Sequence, residues 1–372
     1  MAYASQIEIP NHRLERKVLD QPYLPKMDGL RAISIFMVFL GHFFWSGLTP
    51  QSKLPAALTS TFSGGLGVTI FFVISGYLIT SILLTYSDAL TPKNAAKKFY
   101  WRRALRLFPI FYLCIAVTAA LNLGGMRQTW WINALYLMNF KVARDSAWNG
   151  SSHFWSLCVE EQFYLLWFLI VVLIPRRFLL AVIMFFIIIA PVYRLLMCAL
   201  GTTHFVDVLL PGTMDSMATG ALISHAVNLS PSARLWRQFV KIRTPLLSLS
   251  LLAIIAIQAT PAESVRRVIL RSAMDIFAAC LVSASLEQVS DWRFNWLGGN
   301  MIRHLGKISY GLYVYHFFLP PVIDAHLNFN WVHSYTGALL TRFAVLAAIT
   351  VAIAEVSWRL IEKPILKLKR LV

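Results

Sequence analysis

Charged side chains are scarce in this chain. Asp, Glu, Lys and Arg make up 14% of 372 residues, against about a quarter in soluble domains, while 58% are hydrophobic. Mean hydropathy is +0.62. A soluble globule has too little interior to hide so much Leu, Ile, Val and Phe. The scarcity excludes a cytosolic enzyme and a disordered protein. Acidic residues are scarcer still, 17 against 34 basic ones, for a net charge of +17. In a soluble protein that surplus would suggest nucleic acid, but no basic stripe lies on a soluble domain here. The plainer cause is an excess of Lys and Arg in cytoplasmic loops, with anionic substrates as a second use for some of them. Cysteine is limited to Cys114, Cys158, Cys198 and Cys280, scattered through apolar segments with no CxxC or Cys/His spacing. That argues against a disulfide framework or a metal site. The first 28 or so residues are polar and lack the apolar core and small-residue cleavage site of a signal peptide. Low-complexity tracts and obvious internal repeats are also missing.

What is present is a series of apolar runs near the roughly 20 residues needed to cross a bilayer. They fall near 30–48, 64–85, 106–123, 155–174, 178–199, 206–226, 245–259, 268–286, 305–327 and 337–360. The expectation is an all-α polytopic membrane protein of about ten helices. The stretch 130–140, with Trp130 and Trp131, is too short to span and reads as an interfacial or re-entrant helix outside. With the N-terminus inside, cytoplasmic loops hold Lys93, Lys97, Lys98, Arg102 and Arg103, then Arg176 and Arg177, then Arg234, Arg237, Lys241 and Arg243. The tail adds Lys363, Lys367, Lys369 and Arg370, whereas outer loops hold Lys53, Arg127, Lys141, Arg144, Arg266 and Arg267. The asymmetry places both termini in the cytoplasm. The expected division is a cytoplasmic segment 1–28, a transmembrane domain 29–365 and a short basic tail 366–372, without room for an added soluble domain.

Ionisable groups inside spans are costly and point to function by default. Arg31 and His42 lie eleven positions apart on the first span, about 16 Å of rise and nearly one face. Arg31 also reads as a snorkelling anchor, and His42 as a buried neutral histidine. Arg103 and Arg106 share a helix face and make a fork suited to phosphate, or a topogenic cluster. Glu160 and Glu161 point about 100° apart, so at most one faces a given site; a structural bond to Arg194 or Arg271 is the bland alternative. At 1.5 Å per residue, Glu160 and Glu161 lie roughly 11 Å and Asp215 roughly 13 Å below the outer face. His316 lies roughly 16 Å and His42 roughly 19 Å above the inner face of a core about 30 Å thick. These depths gather the polar groups in one slab near the midplane, as in an enclosed site. Ser75 and Gly76 read either as close helix packing or as a place where a substrate approaches the backbone.

The segments MDGLRAISIFMVFLGHFF, GVTIFFVISGYLIT, FYWRRALRLFP, HFWSLCVEEQFYLLW, LGKISYGLYVYH and SWRLIEKP occur in that order. Together they resemble the membrane acyltransferase family 3, over about residues 26–365. The usual LDGLR start reads MDGLR here. The resemblance implies a membrane O-acyltransferase, usually an O-acetyltransferase, working in a bacterial cytoplasmic (inner) membrane. Such enzymes move an acyl group from cytosolic acyl-CoA, typically acetyl-CoA, to a hydroxyl of an extracytoplasmic or lipid-linked carbohydrate. The family's Arg–ten residues–His pattern matches Arg31 and His42, its arginine pair matches Arg103 and Arg106, and its acidic position matches Glu160.

On this reading Arg103 and Arg106, helped by Arg31, hold the CoA phosphates. His42 is the general base on the acceptor hydroxyl, and Glu160 fixes its tautomer as a carboxylate does in a triad. Donors near Ser75 and Gly76 stabilise the oxyanion. Ser75, Gly76, Asp215 and His316 complete the expected substrate contacts, with no metal. Two other classes stay open on the residues alone. A transporter would use the same midplane groups, and a non-catalytic relative would only bind glycan or lipid.

Overall fold

The computed structural model describes residues 23–44, 61–148, 150–202, 205–229, 234–261, 263–286, 292–327, 329 and 334–371. Most of the expected N-terminal segment, and Lys53, lie outside the described residues. The rest is helical, with no strand among the described residues. In order the helices are α1 (Pro25–Phe39), α2 (Gly64–Ala89), α3 (Pro92–Ala120), α4 (Met126–Ala134), α5 (Met138–Asp145), α6 (Trp155–Leu173), α7 (Arg176–Ala199) and α8 (Leu210–Leu229). They continue as α9 (Arg234–Ala259), α10 (Glu263–Leu286), α11 (Asn300–Lys307), α12 (Ser309–Tyr315), α13 (Leu319–His326), α14 (Tyr335–Ser357) and α15 (Lys363–Leu366).

Eight helical segments among the described residues are long and apolar enough to cross a membrane. They coincide with eight of the expected spans, and the short expectation at 245–259 grows into the 26-residue α9. The other two expectations meet helices of a different kind. The run at 206–226 becomes a 3₁₀ turn at Val206–Val208 followed by α8, diluted in apolarity by Gly212, Thr213, Asp215, Ser216, Thr219 and Gly220. Residues 305–327 form no single helix. They break into α11, α12, a 3₁₀ turn at His316–Phe318, and α13, which has proline in its first turn. Proline cannot continue the preceding ladder, and broken helices are tolerated at membrane depth only when protein surrounds them. Tyr310, Tyr313, Val314 and His316 are accordingly buried. The stretch near 130–140 forms the two short helices α4 and α5, as expected for a non-spanning piece.

The helix α2 lies at the centre, with 78% of its apolar window buried, whereas α9 has 17% and lies at the rim. Lipid supplies little hydrophobic drive between helices, so small residues set their approach. A methyl group on Gly76 would lie 1.9 Å from the Met217 carbonyl oxygen, and one on Gly220 would lie 2.0 Å from the Val73 oxygen. The α2–α8 crossing therefore requires glycine on both sides. Gly76 serves helix packing, and the expectation that it admits a substrate is corrected. Leu165, Leu169, Phe185, Ile188 and Leu195, on α6 and α7, remain exposed, as an outer face wetted by lipid rather than water would be.

Candidate active site

Two adjoining cavities lie beside α1, and Val68 and Tyr313 line both. The first is narrow, about 100 Å³, with Arg31, Ser75, Arg103, Arg106, Glu160 and Tyr164 in its wall. The second is wide, about 640 Å³, and contains His42, His153, Trp148, Trp155, Phe317 and Arg271.

In the arginine chamber Arg31 leans on Asp28 of its own first turn, 3.8 Å away. Arg103 lies over the Tyr164 ring, 4.7 Å from its centre. Neither Arg103 nor Arg106 makes a hydrogen bond among the described residues, while their neighbour Arg102 turns away to Tyr86. Tyr164 donates to Ser75 Oγ at 3.2 Å, and Ser75 donates to Glu160 Oε1 at 2.7 Å. A hydroxyl both accepts and donates, so one short chain fixes Glu160 against the arginine wall. Asp28, Glu160 and Glu362 offset part of the charge of these three arginines, but the Arg103 and Arg106 forks carry no hydrogen bond among the described residues. They suit an anion with several oxygens.

The histidine cavity has a different chemistry. The last turn of α1 widens into a π-helical turn at Leu40–Phe44, which carries His42. Such turns recur at functional sites. Arg342 of α14 braces it, donating to the Phe43 carbonyl at 2.5 Å and gripping Asp324 with two bonds of 2.7 and 2.8 Å. His42 Nδ1 lies 2.8 Å from His316 Nε2, and His316 Nδ1 lies 2.6 Å from the Tyr313 carbonyl oxygen. The ring centres are 5.0 Å apart with planes 22° apart. That separation is the bond length plus two ring radii, so the imidazoles meet edge to edge.

The chain of bonds assigns the protons. A carbonyl only accepts, so neutral His316 carries its proton on Nδ1 and offers a lone pair on Nε2. His42 must then donate from Nδ1, which makes Nε2 its basic nitrogen. This nitrogen lies at the start of α2, where a methyl placed on Gly64 would be 3.9 Å away. His153 lies beside His316, ring centres 5.3 Å apart, with Nε2 3.3 Å from the Val314 carbonyl. Tyr313 ties the group together, since its hydroxyl lies 2.8 Å from the His153 carbonyl and 2.6 Å from Ser156 Oγ.

Several expected positions are corrected. Glu160 does not hold His42. The His42 ring abuts Gly64, whereas Glu160 bonds Ser75, eleven residues further along α2, or about 16 Å. The depth assigned from sequence assumed that α6 begins at the membrane surface. Instead its preceding turn, Ser152–Phe154, is buried at the level of His316, so Glu160 lies about two turns deeper still. His316, not Glu160, partners His42. Ser75 lies in the arginine chamber and is too far from His42 to stabilise an oxyanion there. Asp215 lines neither cavity; it is buried in an ion pair with Arg194 at 2.8 Å, and its Oδ1 accepts from the Ser216 amide. Arg31, Arg103 and Arg106 line one chamber, and Glu160, expected beside His42, lines it with them. Sequence reasoning passed over His153 and Arg342. Arg342 carries a signal, an ionisable residue in an otherwise apolar run, whereas His153 follows a polar stretch just ahead of the expected span and carries none.

Several known proteins are similar to this chain in sequence. Peptidoglycan O-acetyltransferase OatA of Listeria monocytogenes is 29% identical over 93% of this chain and 56% of its own length. Putative peptidoglycan O-acetyltransferase YrhL of Bacillus subtilis is 30% identical over 92% of this chain and 55% of its own. O-acetyltransferase OatA of Staphylococcus aureus is 34% identical over 41% of this chain and 25% of its own. The chain thus spans about half the length of the first two relatives. No solved structure matches it. The family model of the acyltransferase domain matches residues 24–356, and this membrane protein, with eight long apolar helices among its described residues, belongs to that acyltransferase family.

Proposed function

We propose that the chain is an acyl-CoA-dependent membrane O-acyltransferase, specifically an O-acetyltransferase of a peptidoglycan-type glycan. Residues 29–365 form the catalytic unit, with both termini in the cytoplasm and the arginine chamber opening to that side of the inner membrane. The observation that carries the proposal is the adjacency of two unlike cavities, one lined by an arginine cluster and one by an ordered histidine pair.

Arg31, Arg103 and Arg106 bind the phosphates of the donor, and Glu160, held by Ser75, limits the excess positive charge between them. The chambers lie about 16 Å apart along α1, a distance that an extended pantetheine arm covers. His42 Nε2 takes the proton of the acceptor hydroxyl as its oxygen attacks the thioester carbon. The new C–O bond forms, the C–S bond breaks, and the proton passes from His42 to the departing thiolate. During the transfer His42 is an imidazolium whose Nδ1 proton remains bonded to His316. His316 and the Tyr313 carbonyl thus do the orienting work that a carboxylate does in a triad.

A proton-coupled carrier would use the same histidines but would leave acyl-CoA intact, and membership of the acyltransferase family favours transfer. The test supplies membranes with isotopically labelled acetyl-CoA and follows label in surface glycan by mass spectrometry. Wild-type protein is expected to transfer label and His42→Ala to transfer none. Equal transfer by both removes His42 as the base.

A further inference from the structure

We propose that the acceptor carries an anionic oxygen group, a carboxylate or a phosphate, and that Arg271 is the residue that binds it. The proposal rests on the acyl-transfer reading and narrows its acceptor.

Arg271 lies on α10 and lines the histidine cavity. It also lines a neighbouring cavity of about 240 Å³, which shares Ser63, Gly65 and Asp207 with the first. The wall of this second cavity adds Arg266 and Arg267 from the same helix. The three arginines do not have equal freedom. Arg267 is held by Glu263 at 2.6 Å, and Arg266 donates to the Thr260 carbonyl at 2.9 Å. Arg271 has only long contacts, 3.5 Å to Ser216 Oγ and 3.9 Å to Asp207. Its side chain is nevertheless only 11% exposed.

A guanidinium offers five N–H donors in a planar fork, and nearly all of that capacity is unused here. A covered charge is expensive unless a partner arrives, and the fork matches a carboxylate or phosphate with two parallel bonds. Asp207 does not fill that role. At 3.9 Å it offsets charge without occupying the fork, and its side chain is 46% exposed. The nearby buried acid Asp215 is already engaged by Arg194, which also donates to the Gly212 carbonyl. Asp275, buried one turn further along α10, also offsets the charge of Arg271 without hydrogen-bonding it, and Glu263 is committed to Arg267, so the Arg271 fork stays open to the cavity. A sugar lying on Trp148 or Trp155 in the same cavity would present its hydroxyl to His42 and its acidic substituent to Arg271.

The experiment uses the full chain in membranes with labelled acetyl-CoA and four acceptors. These are a peptidoglycan tetrasaccharide with free lactyl carboxylates, its methyl ester, chitobiose 1-phosphate and chitobiose. Wild-type protein is expected to show a KM at least tenfold lower for an acidic acceptor than for its neutral counterpart. Arg271→Gln is expected to bring that ratio close to one with kcat retained, and Arg271→Lys to keep part of it. The pair showing the larger ratio identifies carboxylate or phosphate. Equal KM values for acidic and neutral acceptors, or an unchanged ratio in Arg271→Gln, overturn the assignment while leaving acyl transfer intact. A wild-type protein that labels none of the four overturns the acyl-transfer reading and this proposal with it.

Discussion

Replacing His316 tests the histidine relay in a way that separates chemistry from folding. His316 accepts from His42 Nδ1 at 2.8 Å and donates to the Tyr313 carbonyl at 2.6 Å. Leucine at 316 can do neither. His42 is then free to take the wrong tautomer, and its imidazolium has lost its partner in the transition state. General acid–base catalysis contributes about 10²–10⁴-fold. The anchor here is a neutral carbonyl rather than a carboxylate, so the expected loss in kcat lies in the lower part of that range, about 10²–10³. That corresponds to roughly 2.7–4 kcal/mol of barrier. Glutamine at 316 can accept through Oε1 and donate through Nε2, which preserves the polarity of the chain. His316→Gln is therefore expected to stay within about tenfold of wild type. The arginine chamber lies about 16 Å away, so the donor KM is expected to be unchanged in both variants. The assay is acetyl transfer in membranes at varied acetyl-CoA, with thermal midpoints of the purified proteins measured in parallel. A folded His316→Leu protein that retains wild-type kcat refutes the relay, as does a His316→Gln protein no better than His316→Leu.

Other expectations concern the frame around the site. Gly76→Val drives a side chain into the Met217 carbonyl region, and overpacking of this kind costs about 1–3 kcal/mol or more; a lowered melting midpoint in detergent checks it. Asp215→Asn leaves Arg194 charged and buried, and breaking one side of such a pair costs about 3–5 kcal/mol. The double variant Arg194→Met with Asp215→Leu is expected to melt above Asp215→Asn alone. Arg342→Met removes the donor to the Phe43 carbonyl beside His42. It is expected to lower kcat about tenfold or more without changing the donor KM, as checked by the same transfer assay.

Much of the architecture was legible because it follows from periodicity and length. Eight apolar runs became eight long helices among the described residues, and Arg103 and Arg106 face one cavity as their spacing implied. Residues on one straight helix keep their relative heights, which is why Arg31 and His42 were ordered correctly along α1. What failed was the comparison of heights between helices. Counting inward from a presumed surface put Glu160 level with His42, yet α6 starts deep in the protein after the buried turn Ser152–Phe154. The break at His316–Phe318 was equally hidden, because residues 305–327 read as one largely apolar run and only Pro320 and Pro321 mark it. That break is what supplies the Tyr313 and Val314 carbonyls to two histidines. Asp215 was drawn toward the substrate by its depth alone. Its burial with Arg194 is a tertiary pairing between α7 and α8 that no local pattern announces.

The central claim is that donor docking and proton transfer occupy separate chambers. Binding of radiolabelled acetyl-CoA, measured alongside its turnover, tests this most directly. The account expects His42→Asn to bind donor with wild-type affinity and fail to turn it over. It expects the double variant Arg103→Met and Arg106→Met to lose binding, with turnover recovering as donor concentration rises. Loss of donor binding in His42→Asn, or wild-type binding in the arginine double variant, would contradict it.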